Sequence, residues 1–209
     1  MLAWSVEAAR AAGCFDRILV STDDDEIASV AQAYGAEVPF RRPDALASDH
    51  ATTVPVIAHA LNWLVDSGVQ PHLACCLYAT APFIQPKELL AALGQLRSSG
   101  ADYAFTCTTY SYPIQRALRI DAGRIAMVNP EHVTTRSQDL EATIHDAGQF
   151  YWGRMEAWTT QVPLLGRGSV PFMIPRYRVQ DIDTEEDWVR AELMHSALDE
   201  WSGNGVDVG

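Results

Sequence analysis

Lysine is almost missing from this sequence of 209 residues: Lys87 is the only lysine among its 15 basic residues. With 27 acidic residues, the chain carries a formal net charge of −12. A protein that binds nucleic acid needs a basic surface, so this charge balance argues against that class. Any phosphate chemistry here would have to rely on arginine side chains or on a bound metal ion.

Signals for membrane insertion and secretion are absent as well. No apolar run approaches the roughly 18 residues that a membrane-spanning helix needs. The N-terminal segment has no basic region and soon reaches Glu7, which is not the pattern of a secretory signal. The 4 cysteines form no CxxC pair and suggest no disulfide framework. We therefore expect a reduced, cytoplasmic protein that binds neither membranes nor nucleic acid, folded as one domain over residues 1–209.

Several catalytic signatures are also missing. The 6 histidines show neither HxH nor HExxH spacing, which argues against a zinc site. No GxSxG segment supports Ser-His-Asp catalysis. Neither GxGxxG nor GxxxxGK occurs, so the sequence offers none of the usual glycine-rich phosphate loops.

Short apolar runs alternate with amphipathic segments in the first half of the chain. Runs at residues 18–21, 38–40, 73–78 and 103–108 have the character of strands, and residues with helical spacing lie between them. This alternation predicts βαβ units, and hence an α/β fold with a mostly parallel sheet flanked by helices on both sides. Ligands of such sheets bind at the carboxyl ends of the strands.

The second half of the chain has a different pattern. Residues 118–120 and 125–127 predict a β-hairpin, and residues 150–152 and 170–174 predict two further strands. Helical spacing predicts a closing helix from residue 185 to 201, and we expect residues 203–209 to form a frayed tail.

The start of the chain departs from the usual order of an α/β sheet. Residues 4–12 are helical in character, with no strand ahead of them. A sheet of this kind normally begins with a strand and a turn that leads into the first helix. We therefore expect the first strand to be absent from this sequence.

Two carboxylates, those of Asp181 and Asp183, form the sharpest candidate site. In an extended segment, residues i and i+2 point to the same side, so both side chains could reach one hard cation such as Mg²⁺, shared with substrate phosphates. A structural interpretation competes with this one, because Thr184 and Asp187 resemble a helix capping box with further acids in the first turn. The sequence alone leaves both interpretations open.

Three further polar segments are candidates for ligand binding. Residues 136–152 place Arg136, Gln138, His145, Gln149 and Tyr151 in one aromatic stretch that could bind an acidic, amide-bearing sugar. A hairpin with a solvated polar face explains that stretch equally well. Arg41 and Arg42, ahead of a helix that starts near Thr53, suit an anion or a nucleobase edge, or merely a surface loop. The turn that carries Gln115 and Arg116 is a weak signal by itself.

Taken together, these segments resemble the acylneuraminate cytidylyltransferase family, and within it the branch that activates pseudaminic acid. The resemblance is carried by seven stretches in order along the chain: residues 20–24, 42–49 with Thr52 and Thr53, 78–83, 111–116, 136–140, 145–152 and 181–188. It implies a Rossmann-like nucleotide-diphospho-sugar transferase fold with a β-hairpin insertion, residues 111–152 forming the sugar pocket and a possible dimerisation region.

The resemblance also implies a reaction: CMP is transferred from CTP to a nonulosonic acid, and pyrophosphate is released. Asp181 and Asp183 would hold Mg²⁺. The residues expected on the CTP side are Arg42, Thr52 and Thr80. The residues expected around the sugar are Tyr78, Gln115, Arg116, Arg136, Gln138, His145, Gln149 and Tyr151. The family further implies a homodimer, and a role in the glycosylation of flagellin or surface glycans; sialic or legionaminic acid is the alternative sugar.

One departure from the family bears on activity. Its members open with a strand and a basic, glycine-containing loop that wraps the triphosphate of CTP, whereas residues 1–9 here match the helix that follows that loop. Two hypotheses follow. Either the true start of an active enzyme lies upstream of Met1, or this form is a truncated, non-catalytic protein that binds a sugar or a partner chain.

Overall fold

The computed structural model describes residues 1–48 and 50–203. Helices and strands share this part of the chain, and their bounds are as follows: α1 (Leu2–Ala12), α2 (Asp25–Ala33), α3 (Thr53–Asp66), β1 (Leu73–Leu77), α4 (Pro86–Ser99), β2 (Tyr103–Thr109), β3 (Leu118–Asp121), β4 (Arg124–Met127), β5 (Ile144–Arg154), α5 (Met155–Thr159), β6 (Ser169–Met173) and α6 (Glu185–Gly203).

The helix boundaries lie at capping and terminating residues that can be recognised in the sequence. Asp24 caps α2, since its carboxylate accepts hydrogen bonds from the backbone N–H groups of Glu26 and Ile27, both at 2.8 Å. Helix α4 begins with Pro86 and ends before Gly100, whose φ of 69° is left-handed. The predicted helices at both positions are confirmed, as are the opening and closing helices. Residues 204–209 of the predicted tail lie outside the described part of the chain.

The main sheet has the strand order β1-β5-β2-β6. Strands β2 and β6 pair in parallel, while β5 runs antiparallel to both of its neighbours, β1 and β2. Three of these four strands therefore share one direction, and the sheet is mixed because β5 returns from the second half of the chain in the opposite sense. The predicted hairpin forms a separate two-stranded sheet of β3 and β4.

Two predicted short strands are reduced to isolated bridges. Within the described residues, the segments around 18–21 and 38–40 pair only through two parallel bridges, one from Leu19 to Glu37 and one from Thr22 to Arg41, and three of these four residues flank the predicted runs. The prediction of a full strand was wrong at both positions. Two short segments without a third neighbouring strand form too few ladder hydrogen bonds for a regular sheet.

Strand β1 lies at the edge of the main sheet and is less buried than expected. The run at residues 73–78 is apolar throughout, which is typical of a strand that is buried on both faces, yet only Cys76 of β1 is fully buried. Cavities of about 380 and 110 Å³ border its open edge, and residues of the 17–20 segment line both of them. Helix α3 contributes to the wall of the larger cavity and helix α1 to that of the smaller one. Within the described residues, the sheet is thus interrupted between β1 and this segment.

The sheet separates two apolar cores, and β5 contributes to both. The Tyr151 side chain lies in one core, with Leu61 and Leu64 of α3 and with Trp158. Its neighbours Phe150 and Trp152 point into the other core, against α4. This alternation is the period of a strand that is covered on both faces. In the described part of the chain, no helix combines the length and the apolar character needed to cross a membrane.

Candidate active site

The segment between β6 and α6 carries Asp181, and a buried ion pair anchors it. The Arg178 guanidinium donates a hydrogen bond to the Glu88 carboxylate of α4, and both residues are buried. Gln149 of β5 adds a second anchor, since its amide donates to the backbone carbonyl of Arg178. The segment that carries Asp181 is therefore held by buried charged and polar contacts at Arg178, three residues before Asp181.

The Asp181 carboxylate is half-buried and held in one orientation. One of its oxygens accepts hydrogen bonds from the Thr80 hydroxyl at 3.0 Å and from the Ile182 N–H at 3.1 Å. Burial raises the pKa of Asp181, and the charges of Asp183 and Asp146 add to this effect, whereas the hydrogen bond from Thr80 opposes it. A cation placed at this carboxylate would relieve the repulsion between the acids.

Helix capping was the competing interpretation of the acidic residues before α6, and the cap uses only some of these residues. Asp187 accepts hydrogen bonds from the hydroxyl of Thr184 at 2.7 Å and from its N–H at 3.0 Å, and the Thr184 hydroxyl accepts from the Asp187 N–H at 3.3 Å. These hydrogen bonds, that of the Thr184 side chain foremost, lower the pKa of Asp187. The cap is thus built from Thr184 and Asp187, and it leaves the carboxylates of Asp181 and Asp183 for another role.

Two tyrosines connect the Asp181 region with the start of α3. The rings of Tyr78 and Tyr151 lie 5.2 Å apart. The Tyr151 hydroxyl donates to Asp146 at 2.7 Å, and the Tyr78 and Thr53 hydroxyls are 2.8 Å apart. Burial, with the hydrogen bond to Asp146, raises the pKa of Tyr151 well above its usual range, so this phenol stays protonated and acts as a donor.

The residues expected on the CTP side lie at the start of α3 and beside the 18–22 segment. Thr52 is the N-cap of α3, and its side chain makes no capping hydrogen bond. The Arg42 side chain donates to the hydroxyl of Ser21 at 3.2 Å and to the Ser21 carbonyl. Thr80 follows the end of β1, and ligands of α/β sheets bind at the carboxyl ends of strands. The binding of CTP by these three residues stays a prediction.

Four of the eight residues expected around the sugar form a second group, near the hairpin. The Gln115 amide donates to the carbonyl of Glu141 at 2.9 Å, and Arg116 donates to the Ser137 hydroxyl at 3.2 Å. Arg136 and Gln138 are exposed in the same region. Both hydrogen bonds go to other residues of the same region, and neither of them reaches Asp181.

His145 and Gln149 both lie on β5. The His145 ring packs on Tyr110, with the ring centroids 4.7 Å apart. Gln149 is fully buried, and the oxygen of its side-chain amide has no hydrogen-bond partner within the described residues. Its amide serves the Arg178 anchor instead of an open pocket, and its predicted contact with the sugar stays a prediction.

Sequence reasoning missed two residues of this arrangement, Asp146 and Thr53, as parts of the site. Asp146 stands two residues before a glycine, a spacing that is typical of an Asx turn, and this signal could have marked it. Thr53 is adjacent to Thr52, but its link to Tyr78 depends on a contact between distant parts of the chain that no local pattern announces.

The acids present suit Mg²⁺ better than a metal that needs a complete protein cage. Within residues 1–48 and 50–203, no group of three or more His, Cys, Asp or Glu side chains could hold a metal ion. Mg²⁺ is commonly bound by one or two carboxylates, with water and substrate phosphates completing its shell. Asp181 and Asp183 are the pair predicted for this role, and their binding of Mg²⁺ stays a prediction.

Comparisons with known proteins give a consistent answer. A profile of the family described as "Cytidylyltransferase" matches residues 1–154. The chain is 36% identical over 196 residues to a pseudaminic acid cytidylyltransferase of Campylobacter jejuni subsp. jejuni, covering 93% of this chain and 84% of that protein. It is 28% identical to the N-acylneuraminate cytidylyltransferase A of Danio rerio, covering 92% of this chain and 44% of that protein.

Solved structures support the fold. A CMP:2-keto-3-deoxy-manno-octonic acid synthetase complexed with CTP superposes with a TM-score of 0.59 at 15% identity, covering 92% of this chain and 88% of that one. At this identity the likeness concerns the fold alone. The expected fold class and the expected class of enzyme, a nucleotidyltransferase, are confirmed by the family match and these relatives. The chain belongs to the cytidylyltransferase family.

Proposed function

We propose that this protein transfers CMP from CTP to pseudaminic acid, with the release of pyrophosphate. The observation that carries the proposal is the similarity to the Campylobacter pseudaminic acid cytidylyltransferase over 93% of the chain. The geometry around Asp181 supports it, because a half-buried carboxylate that takes no part in the helix cap is available next to Thr80. The substrates are thus CTP and an acidic nine-carbon sugar.

The residues of the site provide positioning and charge for an in-line displacement. A hydroxyl of the sugar forms the new bond to the α-phosphorus of CTP while the bond to pyrophosphate breaks, and the hydroxyl proton is released. Such transfers depend mainly on orientation and on neutralised charge. When bound, Mg²⁺ supplies that neutralisation at the phosphates. Asp181 and Asp183 would hold it, and Thr80 fixes the orientation of the Asp181 carboxylate.

The other predicted residues bind the two substrates in this proposal. Arg42 and Thr52 contact CTP at the start of α3. The sugar lies between the tyrosine pair, Tyr78 and Tyr151, and the polar group near the hairpin. Arg136 is exposed and is suited to the carboxylate of the sugar, because a guanidinium forms bidentate contacts with such groups.

Turnover by the purified protein tests this function. We expect pyrophosphate release that depends on CTP, on Mg²⁺ and on pseudaminic acid, with much lower rates for sialic and legionaminic acid. A higher rate with either of those sugars would keep the reaction and change the substrate. The absence of release with all three sugars would favour the alternative, a non-catalytic sugar- or partner-binding protein.

The proposed setting is the cytoplasm, where the activated sugar would serve the glycosylation of flagellin or surface glycans. A relative from Campylobacter coli, 25% identical over 211 residues, is named post-translational flagellin modification protein B. This similarity supports the pathway. A strain without this gene that still glycosylates its flagellin with the same sugar would contradict it.

We also infer that the protein forms a homodimer through the β3–β4 hairpin. Ile120 and Ile125 are cross-strand partners in this hairpin, and they are 84% and 75% exposed. A two-stranded sheet by itself is at best marginally stable in water, and an apolar pair on its surface is stabilised when a second copy covers it.

Replacing Ile120 by glutamate is expected to convert the dimer into a monomer, because the charge would have to be buried in the interface. Analytical ultracentrifugation of the purified variant measures the change. Leu165→Glu is the matched control, since Leu165 is 73% exposed but lies outside the hairpin. A dimer that survives Ile120→Glu would assign the interface to another surface.

A further inference from the structure

The side chain of Asp146 bridges the irregular part of β5 with two hydrogen bonds. Phe105 of β2 faces Tyr151, whereas Cys107 faces Asp146, so β5 bulges between these two positions. One Asp146 oxygen accepts a hydrogen bond from the Gly148 N–H at 2.8 Å, and the other accepts from the Tyr151 hydroxyl at 2.7 Å. Asp146 therefore ties the middle of the bulge to its end.

The backbone inside this bulge borders the Asp181 carboxylate. Gly148 has a φ of 63°, and a Cβ atom built there would lie 3.2 Å from an oxygen of Asp181. A side chain at this position would be strained and would press on the carboxylate, so only glycine allows this close approach. The hydrogen bond from Gly148 to Asp146 fixes the very backbone unit that bounds Asp181 on this side.

The second hydrogen bond of Asp146 fixes the tyrosine pair. Tyr151 is 1% exposed, and its ring packs on Tyr78, whose hydroxyl reaches Thr53 at the start of α3. Asp146 thus contacts, through one oxygen each, the backbone next to Asp181 and the aromatic wall next to the proposed CTP side.

We propose that Asp146 is a positioning residue: it closes the β5 bulge, and it thereby holds Gly148 against the Asp181 carboxylate and Tyr151 against Tyr78. This inference rests on the proposed function. A role as a further metal ligand fits the contacts less well, because both Asp146 oxygens already accept hydrogen bonds from the protein. In the described residues, moreover, no group of three or more metal-ligating side chains is assembled.

Binding of Mn²⁺ alone, followed by electron paramagnetic resonance without CTP or sugar, separates positioning from ligation. Asparagine at position 146 can accept from the Gly148 N–H and donate to the Tyr151 oxygen, so Asp146→Asn is expected to change the Mn²⁺ dissociation constant less than threefold. Asp146→Ala removes both hydrogen bonds and is expected to weaken Mn²⁺ binding at least tenfold, in the range typical of residues that orient a metal ligand. Tyr151→Phe keeps the carboxylate, removes one hydrogen bond, and is expected to weaken binding about three- to tenfold.

Each other pattern overturns the proposal. A direct ligand would make Asp146→Asn as harmful as Asp146→Ala and leave Tyr151→Phe without effect. An unaffected Asp146→Ala variant would leave Asp146 without a role, and if that variant fails to fold, the Asn and Phe variants decide. Asp66→Asn, which removes one exposed charge at the end of α3, is the control and should bind Mn²⁺ like the wild type.

The same variants connect the inference to turnover and keep the two proposals apart. We expect Asp146→Asn to keep kcat within threefold of the wild type, and Tyr151→Phe to lower kcat together with its Mn²⁺ affinity. A wild-type protein that binds Mn²⁺ but shows no pyrophosphate release would defeat the proposed function and leave the comparison of Mn²⁺ binding intact. A wild-type protein that binds no Mn²⁺ would overturn the positioning role, because no cation site would then exist to be positioned.

Discussion

Replacing Asp181 by asparagine is expected to lower kcat/KM for CTP about 1000-fold. Asparagine can still accept the hydrogen bonds from the Thr80 hydroxyl and the Ile182 N–H, so the substitution removes charge and keeps the shape of the site. Losing one of the two carboxylates proposed to hold Mg²⁺ removes several kcal/mol of transition-state stabilisation, and about 4 kcal/mol corresponds to this loss in rate. Steady-state assays of pyrophosphate release across a range of Mg²⁺ concentrations measure it.

The same substitution should make the folded protein more stable. The pKa of Asp181 is raised in the folded state by burial and by the charges of Asp183 and Asp146, so ionised Asp181 opposes folding. Neutral asparagine avoids this penalty above the folded-state pKa, and its advantage should disappear as the pH falls below the pKa of an unfolded aspartate. Chemical denaturation at neutral pH and near pH 3 tests the sign. Lower activity together with higher stability would exclude misfolding as the cause.

Two further variants are needed to interpret the effect of Asp181→Asn. Asp183→Asn should reduce activity by a similar factor, because it removes the second carboxylate of the pair. Glu186→Gln is the matched control: Glu186 is an exposed acid in the first turn of α6, outside the pair and outside the Thr184–Asp187 cap, and its loss should change kcat/KM less than twofold. Full activity in both aspartate variants would return these acids to a structural role and remove the support they give to the proposed chemistry.

The acidic segment before α6 shows which structural roles a local sequence pattern can predict and which it cannot. The spacing of Asp181 and Asp183 suggested a metal pair, and that of Thr184 and Asp187 suggested a capping box. Both patterns occupy one short stretch, and only the structure shows that Asp187 forms the helix cap with Thr184. Helix starts such as that of α2 were predictable because a cap and its partners lie within three residues.

Features that depend on distant pairing were harder to predict. The Tyr151–Asp146 hydrogen bond spans the bulge of β5, and the sequence alone does not tell that β5 runs antiparallel between β1 and β2. The apolar run at residues 18–21 has strand propensity, but its pairing depends on neighbours, and isolated bridges are all that it forms. Propensity describes the segment, whereas register and pairing belong to the whole sheet.

A second large effect is expected from the ion pair that anchors the Asp181 segment. Arg178 and Glu88 have side chains that are 5% and 11% exposed, and Glu88→Ala would leave the guanidinium buried without its partner. Breaking a buried pair in this way typically costs about 3–5 kcal/mol of unfolding free energy. Denaturation by urea with a fluorescence or circular dichroism readout measures the loss.

An exposed ion pair provides the matched control. A guanidinium nitrogen of Arg41 lies 3.0 Å from a carboxylate oxygen of Asp25, and the two side chains are 64% and 96% exposed. Arg41→Ala should change the unfolding free energy by less than about 1 kcal/mol, because water screens this pair and solvates the partner that remains. A loss of similar size in Arg41→Ala and Glu88→Ala would mean that burial does not determine the contribution of the inner pair.

A double variant distinguishes an unpaired charge from lost packing. Within the described residues, one oxygen of Glu88 and the Nε of Arg178 have no hydrogen-bond partner, so this buried pair is incompletely satisfied. Replacing both residues, as Glu88→Leu with Arg178→Met, should therefore recover most of the stability that Glu88→Ala loses. Activity should not recover to the same extent, because the apolar pair no longer ties the segment that carries Asp181 to α4 through a directed hydrogen bond. If the double variant recovers stability but not kcat, the role of the ion pair is to position Asp181. If both recover, the ion pair only stabilises the core.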